Sequence, residues 1–191
     1  MEKLAPYIAD NCGAIVSAKK IADFLKSQRV KITPNVVLNY LSHLKSSFLI
    51  DKVSRSDIAG KKIFEVSEKY YWEDIGIRNT IKPYKLGDIN KILENIVYHH
   101  LRVHDFRVLT GQLPGKKEID FIAERREKKL YIQVTYLIQN EQTFGREFGN
   151  LLQIKDNFPK YVVSMDPVSQ SNHQGVIHLH LRDFLLMDFQ D

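Results

Sequence analysis

One cysteine in 191 residues, Cys12, leaves no partner for an internal disulfide and suits a reducing compartment. No apolar run approaches the roughly 18 residues that a membrane span needs, and the N-terminus has no charged-then-apolar leader. The expectation is a soluble, cytoplasmic chain with no membrane partner. Internal repeats and low-complexity segments are absent too. There is no GxxxxGK(S/T) phosphate loop; the nearest string, Leu113-Pro114-Gly115-Lys116, lacks the spacing and the preceding glycine. A Gly-x-Ser-x-Gly elbow is missing, and Cys12 has no evident base, so hydrolysis by an activated serine or cysteine has no support. His100 and His104 are spaced i, i+4, and His178 and His180 share a strand face. Neither pair has the further ligands that would complete a tetrahedral zinc site. Charge of one sign is also scarce: 28 basic against 23 acidic residues give a formal +5, compatible with nucleic acid without demanding it.

What the chain does have is 43% hydrophobic residues, enough for one ordinary domain or two small ones. Residues 1–70 read as one unit. A first helix covers 2–12 and stops at Gly13. Ser17 is placed to cap a second over 18–28, with Ile21, Phe24 and Leu25 inward. Thr33-Pro34 announces a third, running to about Ser47: a capping hydroxyl followed by proline at the first helical position. Its apolar stripe is Val36, Val37, Tyr40, Leu41 and Leu44. Its polar face is Asn35, Asn39, Ser42 and His43. Two short strands follow, 48–53 and 62–66, around a tip over 54–62. Three helices and a β-hairpin form the winged helix-turn-helix order. On that reading Asn35, Asn39 and His43 face base edges of double-stranded DNA, with Lys45 the helix's one cation. The wing residues Lys52, Arg55, Lys61 and Lys62 meet phosphates. The opposing reading is a protein–protein module, because residues 1–75 carry only 12 basic against 9 acidic side chains.

Residues 71–87 read as a connector, too apolar in Tyr71, Trp72, Ile75 and Ile77 to be a free linker. The Glu73-Asp74 pair there reads as solvated carboxylates rather than a dyad. From 88 to 191 the pattern is α/β. A helix over 87–104 presents Ile89, Ile92, Leu93, Ile96, Val97, His100 and Leu101, with Glu94 at the border of that face. Strands follow at 106–110, 117–123 and 130–136, then a helix over 142–156 capped by Thr143. Strands at 160–165 and 176–181 and a closing helix over 182–189 complete the chain. Residues 117–136, KEIDFIAERREKKLYIQVTY, alternate apolar and polar residues on either side of the charged tip 124–129. Side chains alternate along a strand, so Gln133 and Thr135 share one face, and Asp120 completes a polar group if it faces the same way.

Helix, three strands, helix and strand, with an acid on the first helix, an Asp on the second strand and a polar-x-polar pair on the third, resembles the PD-(D/E)XK restriction-endonuclease-like fold. The runs GDINKILENIVYHHL, KKEIDFIAERREKKLYIQVTY and REFGNLLQIKDNFPKYVVSMD, with SAKKIADFL, the Thr33–Leu44 helix and KYYWEDIGIRN upstream, resemble the C-terminal region of a family of prokaryotic AAA-type ATPases. That resemblance implies an α+β chain: a winged helix, then a nuclease-like α-β-β-β-α-β domain. It also implies that the ATP-binding module is absent here, the chain being a C-terminal fragment whose partner is its own ATPase module. In active members, carboxylates hold Mg²⁺ and a lysine orients the attacking water or stabilises developing charge. Glu94 and Asp120 match the first two acids and are the only metal ligands the resemblance supplies. Gln133 stands where the next acid belongs, and Thr135 where the lysine belongs. Lys117, Lys129 and Arg146 are the nearest substitutes in sequence. A degenerate, non-catalytic site that binds DNA or a partner is therefore the leading expectation. A divergent Mg²⁺-dependent nuclease using Glu94, Asp120 and Gln133 is the first alternative, and a homo-oligomerising interaction module the second.

Overall fold

The computed structural model describes residues 2–58, 60, 63–167 and 170–189. Among them are seven α-helices and eight strands, a mixed α/β chain. It divides into two compact units, one of Met1–Arg55 with Phe64–Asn95, the other of Ser56–Ile63 with Ile96–Asp191. The division thus falls inside one helix, after Asn95, and within the first hairpin, where Ser56–Ile63 groups with the second unit.

The first unit begins with α1 (Leu4–Asp10), α2 (Ala18–Ser27) and α3 (Pro34–Ser46), followed by the hydrogen-bonded neighbours β1 (Ile50–Asp57) and β2 (Ile63–Trp72). The caps form as the residue types dictate. Ser17 Oγ accepts from Lys20 N–H at 3.2 Å, and Thr33 Oγ1 from Val36 N–H at 3.4 Å. Val16 bridges antiparallel to Glu68, so the segment between α1 and α2 adds a third strand position beside β2. Val37, Leu41 and Leu44 are the buried stripe of α3. Val36, expected in that stripe, is 40% exposed instead. It stands a full 100° of helix rotation from Val37, outside the buried arc.

The connector is the largest departure from expectation. β2 continues to Trp72, and residues 75–81 form a helix, α4 (Ile75–Ile81), capped by Asp74 Oδ1 accepting from Ile77 N–H at 2.7 Å. Asp74 is thus a helix cap, with a structural role of its own. On α4, Ile77 faces solvent while Arg78 is buried. Arg78 Nε donates to Ala9 O at 3.0 Å, and its guanidinium lies 3.0 Å from Asp88 Oδ2. Lys91 joins Asp88 Oδ1 (2.8 Å) to the Asp10 carbonyl (2.7 Å). On α5 (Ile89–Val103), Asn95 exchanges two hydrogen bonds with the Trp72 backbone and accepts one from the Cys12 thiol. Burial pushes that thiol up to about 12.

The second unit is built on a sheet in the order β3-β4-β5-β6-β8-β7. β3 (Arg107–Leu113), β4 (Lys117–Arg125) and β5 (Lys128–Val134) are antiparallel; β6 (Lys160–Ser164) and β8 (Val176–His180) add in parallel. β7 (Ser171–His173), with no strand-length apolar run of its own, pairs antiparallel with β8. The charged tip is shorter than expected. β4 and β5 pair out to Arg125↔Lys128, because Glu124 and Lys129 stand opposite each other with an ion pair at 3.4 Å. Helix α6 (Glu141–Leu152) packs Phe148 and Leu151 onto Ile119, Tyr131 and Val162. Its cap is Asn140, whose Oδ1 accepts from the amide of Thr143, the residue expected to cap it. A short helix α7 (Leu181–Leu185) is capped by His180.

Candidate functional site

The antiparallel ladder of β4 and β5 has Phe121↔Ile132 as its last pair on the side away from the turn. One residue further along, Asp120 and Gln133 take over its backbone groups with their side chains. Gln133 Oε1 accepts from Asp120 N–H at 2.7 Å, and Asp120 Oδ2 accepts from Val134 N–H at 2.9 Å. The strands fork here, and the fork is stitched by the two polar residues themselves. The Gln133 amide then donates to Glu147 Oε2 on α6 at 2.7 Å. Arg146 grips the other oxygen of Glu147 through Nε and a terminal nitrogen, at 2.9 and 2.6 Å.

Glu147 is 2% exposed. Burial raises its pKa above the ordinary range and the Asp120 charge adds to that, against the hydrogen bonds from Arg146 and Gln133. Glu147 was not among the residues expected from the sequence. The signal was there: Phe144, Glu147, Phe148 and Leu151 fall at i, i+3, i+4 and i+7, so an acid interrupts an apolar stripe. Thr135 is buried, and its amide donates to Val163 O at 3.0 Å, extending the parallel contact of β5 with β6.

Glu94 belongs to the first unit. Its Oε2 receives the Lys69 ammonium at 3.2 Å and the Tyr71 hydroxyl at 3.1 Å, both from β2. Gly13, at φ 72°, lies against it; a Cβ there would approach that oxygen to 2.9 Å. Of the sequence-nearest cations, Arg146 reaches Glu147. Lys129 pairs with Glu124 and lies over the Tyr131 ring, and Lys117 is exposed at the start of β4.

These donors do not fit Mg²⁺. A hard cation needs converging oxygens with net negative charge, whereas the Gln133 carbonyl oxygen is engaged by a backbone amide. Its NH₂ group points at Glu147, whose second oxygen is neutralised by Arg146. Among the described residues, no group of three or more His, Cys, Asp or Glu is placed to hold a metal ion.

The chain is similar to an uncharacterised protein of Haemophilus influenzae. The two are 36% identical over 180 residues, 94% of this chain and 44% of the relative, so the chain spans less than half that protein's length. No protein-family model matches the chain, and no solved structure matches it.

On the first unit, Asn35, Asn39, His43 and Lys45 are all exposed along α3. Lys52 is bound to Glu68 Oε1 at 2.8 Å, and Arg55 is half-buried on β1. Lys61 and Lys62 lie outside the described residues. The four histidines of the two sequence pairs make contacts within the fold. His100 and His104 pack edge to face at 4.6 Å beside Phe189, and His178 Nε2 meets Ser164 Oγ at 2.8 Å, while His180 caps α7. Burial lowers the pKa of both His100 and His178. Although Ser164, His178 and Asp166 cluster, Asp166 accepts from the serine and lies 4.0 Å from the same histidine nitrogen. A nucleophilic triad instead needs the acid on the far nitrogen of the imidazole.

Proposed function

We propose that this chain is a non-catalytic accessory region of a larger ATPase-type protein. A winged-helix unit engages double-stranded DNA, and a nuclease-like unit has kept the fold without its metal chemistry. One observation carries the reading: Gln133, at the position of a catalytic acid, has both ends of its amide committed, one to Asp120 N–H and the other to Glu147. A side chain stitched into a strand fork in this way is a structural element rather than a ligand in waiting. The succession of three helices and a hairpin supports the winged-helix assignment. A helix, three antiparallel strands, a second helix and a parallel strand supports the nuclease-like one. The Haemophilus relative, more than twice as long as the matched region, is consistent with a further module in the whole protein.

The polar strip Asn35, Asn39 and His43 is the surface offered to base edges. Fluorescence anisotropy of a labelled duplex and a single strand at two salt concentrations tests this. Expected are preferential duplex binding in the micromolar range, steep weakening with salt, and loss in Asn39→Ala. No binding at low salt removes the DNA assignment. Glu147 favours a second reading, a divergent nuclease, since it brings a carboxylate beside Gln133 where the first strand acid also bonds. Saturable Mn²⁺ binding that disappears in Asp120→Ala would establish that reading instead.

A further inference from the structure

Helix α3 closes in a Schellman motif. Leu49 N–H donates back to Leu44 O at 3.1 Å and Phe48 N–H to Lys45 O at 3.0 Å. The motif requires its penultimate residue in the left-handed region, where glycine is at ease and a residue with a Cβ is not. Phe48 occupies it, at φ 54°. Burial gives little in return, for Phe48 is among the most solvent-exposed of the described apolar residues, at 81%. Folding alone would favour glycine here. A ring held outward at a backbone cost points to something outside the chain.

Lys45, whose carbonyl holds the Phe48 amide, lines a groove of about 220 Å³ between α3 and the hairpin. Leu38 (48% exposed), Leu41 and Tyr70 supply its apolar surface. Its charges are unequal in their commitments. Lys52 is paired with Glu68, whose other oxygen accepts from the Tyr70 hydroxyl at 3.1 Å. Lys45 has no ion-pair partner among the described residues, and its carbonyl is the one that holds Phe48. The unmet features are therefore one apolar slot, one ammonium and one exposed ring.

We propose that this groove and Phe48 form the docking surface for an acidic, apolar-anchored peptide segment of a partner protein. A carboxylate of the segment pairs with Lys45, a large apolar side chain lies against Leu38, Leu41 and Tyr70, and Phe48 covers the adjacent residue. A nucleic acid matches the site less well, because a single free cation neutralises little phosphate and the slot is apolar. The inference does not rest on the DNA assignment: Leu38 and Lys45 lie on the hairpin side of α3, beside the strip of Asn35, Asn39 and His43.

Short random peptides displayed on phage and selected on the immobilised full chain, with Lys45→Glu as the counter-selection, provide the test. The enriched peptide is then synthesised for anisotropy and competed with a DNA duplex. Expected are sequences pairing Asp or Glu with Phe, Leu or Trp, and affinity falling about tenfold in Lys45→Glu and several-fold in Phe48→Gly. Phe48→Gly should at the same time unfold at higher urea, which separates a binding role from a structural one. The proposal is overturned by no enrichment over Lys45→Glu, by undiminished binding to Phe48→Gly, or by a lower urea midpoint in that variant. Displacement of the peptide by duplex DNA at the groove also overturns it, whereas failure of the duplex to bind touches only the DNA assignment.

Discussion

Each unit buries an acid, and the two acids are treated in opposite ways. In the first, Asp88 lies between Arg78 and Lys91. Burial alone pushes its pKa up, but the Lys91 ammonium and Arg78 guanidinium more than reverse this and hold it at about 2. In the second, Glu147 has an amide on one oxygen and an arginine on the other. That Arg146 side chain is 66% exposed, so its charge is shared with water, and Asp120 is close enough to repel. Its pKa is raised. A buried guanidinium with a second, partly exposed ammonium makes a buried carboxylate a fastening; one largely exposed cation leaves it a burden. The difference divides a junction that ties α1, α4 and α5 together from a fork between β4 and β5.

The sharpest way to break the contrast is Arg78→Met. It leaves Asp88 buried with half its compensation and removes the hydrogen bond to the Ala9 carbonyl. A loss of about 3–5 kcal/mol is expected. Trp72, the sole tryptophan and fully buried in the same unit, reports it through its fluorescence in urea. A loss under about 1 kcal/mol would mean that the pair contributes little there. The same carboxylate fixes the acid limb. Its folded pKa lies below the ordinary 3.8, so its contribution is fully present above that value and is lost as pH falls through about 2. The contribution is on the order of 2 kcal/mol, and Asp88→Asn should flatten that limb.

Glu147→Gln acts in the other direction. The folded-state pKa is raised, so the folded protein binds the proton more tightly and ionisation works against it. Stability then falls as pH rises above the ordinary value of 4.5. Removing the charge while keeping a carbonyl oxygen to accept from the Gln133 amide is expected to raise stability by about 1 kcal/mol at neutral pH. Urea midpoints from circular dichroism at pH 5 and pH 8 should differ in the wild type and converge in the variant. A variant less stable than wild type at pH 8 would show the carboxylate to be a net fastening after all, erasing the distinction between the units.

These opposed fates also explain which features were legible in the sequence. Ser17 and Thr33-Pro34 announced α2 and α3, because a cap and the amide it satisfies lie three residues apart. The alternation of β4 and β5 was visible for the same reason, as was the shared position of Asp120 and Gln133. α4 was not, since its seven residues have little periodicity. What turns Arg78 inward is a carbonyl 69 residues away at Ala9. The interior attachment of Glu94 to Lys69 was hidden likewise, the lysine being 25 residues distant. Glu147 could have been seen, since an acid inside an apolar stripe must be exposed, paired or protonated. Its partners could not.

The smallest expected effect probes the same question with a neutral group. Thr110 is fully buried on β3, where the pairing with β4 shifts register between Leu109 and Gly111. Its hydroxyl has no hydrogen-bond partner among the described residues. The extra residue of this bulge lies on β4, where Asp120 and Phe121 together stand opposite the single Thr110, and a buried hydroxyl left unpaired there costs free energy. Thr110→Val keeps the branched shape and removes only the polar atom, so a gain of about 0.5–1 kcal/mol is expected, independent of pH. Thermal unfolding at pH 5 and pH 8 distinguishes it from Glu147→Gln: equal gains at both pH values mark an unmet hydroxyl. A loss would mean that the hydroxyl is satisfied in solution, and Thr110 would then not share the unfavourable burial of Glu147.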